Sequence, residues 1–186
     1  MSLRALCRLL VLLPAVPAVG HADTVVTRLD QESYSVRMEV QISAPSEYVH
    51  ALLTDYEHLD RVNPSISQSQ LLGSFKPDQV RVRTVTRSCV AFMCFDMTQV
   101  QDVEVRRGGE IIATIVPGKC DFKDGVALWR VLPSGTGTHV VFEARMRPAF
   151  WVPPLIGMWM IERQINQQLA VTVFNLNKLG NQLALR

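Results

Sequence analysis

The stretch FWVPPLIGMWMIERQINQQLAVTVFNLNKLGNQL, from Phe150 to Leu183, decides the fold. Pro153 and Pro154 pre-set the backbone for a first helical turn and no proline follows them, so the pattern predicts one helix running on to near Leu183. Such a helix is about 45 Å long. Met158, Ile161, Ile165, Leu169, Thr172, Leu176, Leu179 and Leu183 recur every three or four residues, which gathers them into one narrow stripe; Arg163, Gln164, Gln167 and Lys178 take the other sides. A helix of this length must lay its stripe on something equally long, and the segments before it read as strands. The expectation is an α+β fold in which a curved sheet grips the helix. The apolar run from Ala149 to Ile161 is too short to cross a membrane, because about 20 residues are needed and Arg147 and Glu162 close its ends. Its Phe150, Trp151 and Trp159 end is a candidate for transient contact with a membrane surface.

Upstream, Glu32 to Ser43 alternates, with Tyr34, Val36, Met38, Val40 and Ile42 facing one way, as in a half-buried strand. Ala44-Pro45-Ser46 turns the chain into a short helix carrying Tyr48, Val49, Leu52 and Leu53, and a second short helix, Tyr56 to Val62, ends ahead of Asn63-Pro64. Strand signals follow over Ile66 to Ser74, Val80 to Cys89, Met93 to Val105, Ile111 to Val116, Val126 to Leu132 and Thr138 to Met146, with turn residues between them. The expected sheet therefore has about seven antiparallel strands. Arg81, Arg83 and Arg87 share one strand face, which is either solvated or a cationic lining for an acidic head group.

At the other end of the chain, Arg4 and Arg8 precede the apolar segment Leu9 to Val19, and Gly20-His21-Ala22 offers small residues at a cleavage site. This is the pattern of a secretory leader cut after Ala22, leaving residues 23–186 as one exported domain, periplasmic or secreted. The leader holds two arginines and no acid, so 17 basic residues face 17 acidic ones in the remainder. That balance carries no nucleic-acid footprint. Cys89, Cys94 and Cys120 remain in a compartment where disulfides persist. If Val90 to Met93 turn, Cys89 and Cys94 come within bridging distance; the alternatives are a Cys94 to Cys120 bridge or buried free thiols.

Chemistry-bearing clusters are sparse. Glu162, at the margin of the helix stripe, is the one candidate general acid or base if the protein is an enzyme, with a salt bridge or simple exposure as its plainer roles. Asp55-Tyr56 reads as a turn or cap between the two small helices, and Asp121-Phe122-Lys123-Asp124-Gly125 as a turn without the ligand set of a calcium loop. His50, His58 and His139 are scattered, and the pattern calls for no metal and no cofactor.

Val40-Gln41-Ile42-Ser43-Ala44-Pro45, followed by Val49, Leu52, Asp55-Tyr56 and Asn63-Pro64, resembles the opening of the START-like helix-grip (SRPBCC) superfamily, in the branch of polyketide cyclases and dehydrases and coenzyme Q-binding proteins. The resemblance covers Ser33 to Leu183 and implies a cavity between sheet and helix. On it, Phe92, Phe95, Met97, Trp129, Phe142, Met146, Met158, Ile161, Ile165 and Leu169 are expected to line the cavity and bind a hydrophobic small molecule such as a lipid or isoprenoid quinone. A cyclase or dehydrase acting on a hydrophobic substrate and an envelope interaction module are the alternatives.

Overall fold

The computed structural model describes residues 23–28, 33–90, 93–150 and 158–186. Eight strands and two α-helices follow in the order β1 (Asp23–Arg28), β2 (Tyr34–Ile42), α1 (Ser46–Thr54), a one-turn 3-10 helix (Leu59–Arg61), β3 (Ile66–Lys76), β4 (Gln79–Val90), β5 (Met93–Arg106), β6 (Glu110–Ile115), β7 (Phe122–Ser134), β8 (Gly137–Pro148) and α2 (Met158–Ala184). The strands form one antiparallel sheet in the spatial order β1-β2-β8-β7-β6-β5-β4-β3. The chain starts at one edge, crosses through α1 and the 3-10 turn to the opposite edge, and returns by successive hairpins until β8 pairs with β2. Register shifts in β3, between Ile66 and Gln68 and between Leu71 and Gly73, bend that edge of the sheet.

Hydrophobic alternation sets the faces. In β2 the even-numbered Met38, Val40 and Ile42 are buried, while Arg37 and Gln41 are exposed. Met38 and Ile42 pack with Val49, Leu52, Val140 and Leu176 in a core that joins α1, α2, β2 and β8. The last of these residues belongs to the long helix, whose Leu169, Thr172 and Leu176 are buried as the stripe requires. Side chains of Met158 and Ile161 lie outside the described residues. The helix is fastened by more than apolar contact. Asn177 Oδ1 accepts hydrogen bonds from Ser43 N at 2.7 Å and Ser43 Oγ at 2.8 Å, and Asn175 Nδ2 donates to Val62 O at 3.1 Å. Gly180 is buried against the end of β2, where a Cβ would come within 2.5 Å of Ala44 Cβ.

Three expectations about elements are corrected. Asp23–Arg28, which carried no strand assignment, pairs with β2 as an edge strand. The second small helix is only the turn Leu59–Arg61. The segment from Phe122 to Gly125 is strand and not turn: Phe122 is buried opposite Pro148, and Asp124 is drawn into an ion pair with Arg147 of the same neighbour. The residues Asp121 and Asp124 are thus separately engaged, the first accepting Thr98 N at 2.7 Å. The expected start of the helix at Pro153 lies outside the described residues, which enter α2 at Met158.

Candidate functional site

Cross-strand register carries one row of inner side chains across most of the sheet: Val36 pairs with Ala144, Ala144 with Ala127, Ala127 with Ala113, Ala113 with Val103, and Val103 with Val80. The centre of this row is alanine on three consecutive strands. The next row holds Met38, Phe142, Trp129 and Ile111, also in direct register. Trp129 and Phe142 lie with ring centroids 4.3 Å apart at an interplanar angle of 36°. Both are half-buried, although Met38 in the same row is 0% exposed. They stand where two core clusters meet: one under the C-terminal half of α2, the other over β4 to β8, with Val36, Leu53, Trp129 and Phe142 packed against both. The middle of the inner face therefore carries small side chains beside large ones that keep solvent contact.

The expected site residues fall into distinct places. Trp129, Phe142, Ile165 and Leu169 come together around the first cluster, and Leu169 is part of the buried core itself. Met146 is half-buried on the inner face opposite Gly125. Met97 and Phe95 follow each other along β5 toward the β4–β5 hairpin, and Phe95 is 43% exposed. Phe92 lies outside the described residues, as do the side chains of Met158 and Ile161. Two surface concavities formed by described residues lie elsewhere. One, of about 410 Å³, is an open groove on the outer sheet face at Ile112, Val126 and Leu128; the other, of about 610 Å³, lies among charged residues at the β3–β4 and β5–β6 turns.

Charge is segregated to the outer face. Arg81 makes a two-pronged bond to Asp102, with Nε at 2.6 Å and Nη2 at 2.8 Å, which holds the carboxyl below the ordinary aspartate range. Arg83 donates to Gln68, Arg87 faces Asp96, and Arg130 joins Glu110 and Glu143. The arginines of β4 therefore form the solvated face and line no interior space. Trp129 and Arg130 alternate, ring inward and guanidinium outward. Glu162 is half-buried in the second turn of α2. Among the described residues no group of three or more metal-binding side chains occurs.

Cys89 and Cys94 are bridged, directly opposite each other across the β4–β5 hairpin with Cα atoms 4.0 Å apart. Cys120 is free, which removes the alternative Cys94 to Cys120 pairing. Asp55 caps the end of α1 and takes His58 Nδ1 at 2.8 Å, the capping role expected of it.

Sequence reasoning assigned Tyr56 to that turn and missed its side chain. The ring packs against the inner cluster of Val82, Val103, Ala113 and Ala127, and the buried hydroxyl has no hydrogen-bond partner among the described residues. Burial pushes its pKa up to about 12. The available signal was a tyrosine where the position after α1 needed only an apolar ring.

Comparison with known proteins agrees with this architecture. Residues 33–170 match the model of a family described as "Polyketide cyclase / dehydrase and lipid transport". Among solved structures, an aromatase/cyclase, Zhui, from Streptomyces sp. R1128 superposes with a TM-score of 0.63 at 14% identity, covering 87% of this chain and 95% of its own. A START superfamily protein from Mycobacterium smegmatis gives 0.60 at 17% identity, covering 80% and 98%. The STAR-related lipid transfer protein of Xanthomonas axonopodis gives 0.60 at 16% identity, covering 89% and 94%. No curated protein sequence matches.

Proposed function

Because the chain belongs to the polyketide cyclase/dehydrase and lipid transport family of the START-like superfamily, we propose that it is an exported carrier holding a hydrophobic small molecule between α2 and the concave sheet face. One observation carries this: Trp129 and Phe142 stay half-buried beside an alanine row in the centre of a face whose neighbouring positions are fully closed. Apolar surface left accessible inside a fold is a driving force for a ligand, at about 25 cal/mol per Å² removed from water. Ile165, Met97 and Met146 would complete the apolar wall. The solved lipid transfer protein and aromatase/cyclase share the fold, and the first of these favours carriage over catalysis here, since the described residues of the inner face bring no acid, base and nucleophile together.

Export draws support from the leader pattern and from a disulfide suited to an oxidising compartment. No described helix is long and apolar enough to cross a membrane. Native mass spectrometry of the protein isolated from its own cell envelope, followed by solvent extraction, tests the proposal. One hydrophobic molecule per chain is the expected result. A clean apo mass, both as isolated and after incubation with a total lipid extract, overturns it.

A further inference from the structure

Among the described residues the buried hydroxyl of Tyr56 has no hydrogen-bond partner. Tyr56 follows the end of α1, and its backbone carbonyl accepts Ser69 Oγ at 2.5 Å, which ties the residue to β3 and sends the ring over the inner face. A buried hydroxyl without a partner is unfavourable enough that native interiors rarely keep one. With its ionisation suppressed by burial, the group is a neutral donor throughout the physiological range.

The surface it faces is uncharged. Among the described residues, the inner face of β2 and of β4 to β8 presents no Asp, Glu, Lys or Arg, because these side chains alternate onto the outer face. Its polar members, among them Thr84, Thr86 and Ser88 on β4, Gln99 and Gln101 on β5 and Thr138 on β8, are neutral. An anionic head group would be desolvated there without a countercharge, which is strongly unfavourable.

Resting on the carrier reading above, we infer that Tyr56 donates a hydrogen bond to a neutral oxygen of the bound molecule, and that the ligand class is an uncharged amphiphile with a carbonyl-type oxygen, not a fatty acid or phospholipid. The acceptor lies over the alanine row and the apolar body extends past Trp129 and Phe142 beneath α2.

Isothermal titration calorimetry with three probes separates the possibilities: 2-undecanone, undecanoate at about pH 8, and butylbenzene. Wild-type protein should bind 2-undecanone at least tenfold more tightly than undecanoate. In Y56F the ketone should weaken by about tenfold, as expected for one lost hydrogen bond, while butylbenzene binds equally to both proteins. Binding of none of the probes to wild type would overturn the carrier reading and this inference with it. Butylbenzene and ketone both unaffected by Y56F would leave the cavity standing and overturn the role of Tyr56. Undecanoate binding as tightly as the ketone would overturn the neutral ligand class. The carbonyl stretch of labelled ketone bound to wild type gives a readout independent of the variant's folding: a downshift from its value in heptane is expected, and an unshifted band refutes the hydrogen bond.

Discussion

Gly180 sits in the interior of α2, where alanine would ordinarily stabilise the helix by about 1 kcal/mol. The structure predicts the opposite sign for G180A. A Cβ at this position falls 2.5 Å from Ala44 Cβ, well inside methyl–methyl contact, and Ala44 is itself 0% exposed at the end of β2. The helix must move away by roughly 1 Å, and overpacking of this kind costs about 1–3 kcal/mol. After the gain in helix propensity, about 1 kcal/mol of destabilisation remains, equivalent to a fall in Tm of about 2–4 °C for a domain of this size. Moving the methyl across the contact should relieve the strain: A44G/G180A is expected to be more stable than the two single substitutions summed, by at least about 1 kcal/mol. Urea unfolding of the four proteins, followed by circular dichroism, measures the cycle. If G180A is as stable as wild type or more so, α2 does not approach β2 this closely, and the grip at this end of the helix has been misplaced.

Two further outcomes follow from the geometry. Removing the Cys89–Cys94 bridge as C89S/C94S should lower stability by about 2 kcal/mol, because a loop with a sequence separation of 5 restrains little of the unfolded chain; an unchanged urea midpoint would mean that the bridge does not form in the isolated protein. His58 is raised above its usual 6.5, first by its hydrogen bond with Asp55 and then by the charge of that carboxylate. Its stabilising contribution is therefore complete below about pH 6.5 and is lost as pH rises through the folded-state value, so the urea-midpoint gap between wild type and D55N should shrink from about pH 6 to about pH 8; a constant gap would dismiss the linkage.

The long helix, the alternating strands and the bridged hairpin were legible because each rests on a local period or spacing. Leu169, Thr172 and Leu176 are buried where a turn of 3.6 residues puts them, and Met38, Val40 and Ile42 where a period of two does. What the sequence concealed depends on partners distant in the chain. Asp23–Arg28 is six residues long and becomes a strand by pairing with β2. The Asp124-Gly125 pair has turn chemistry, yet Asp124 is held in the sheet by Arg147. Asn175, Asn177 and Asn181 are poor helix formers whose use is not visible locally: Asn175 bonds Val62 and the other two bond Ser43. The hydroxyl of Tyr56 was hidden for the opposite reason: its environment, and not its bonding, makes it unusual.

Packing alone would have asked for something else at the centre of this sheet. A concave face under a long amphipathic helix is best filled by large branched side chains, and the flanking row supplies them as Ile111, Trp129, Phe142 and Met38. At Ala113, Ala127 and Ala144 it does not. Departures from the local rule are expected where a site has been built into a fold. Here two departures of different kinds, small side chains where large ones would pack and a hydrogen-bond donor with no partner among the described residues, fall on the same cluster of residues. A packing fault would explain the first without the second, and a trapped water the second without the first. A ligand with an apolar body and one neutral oxygen answers both.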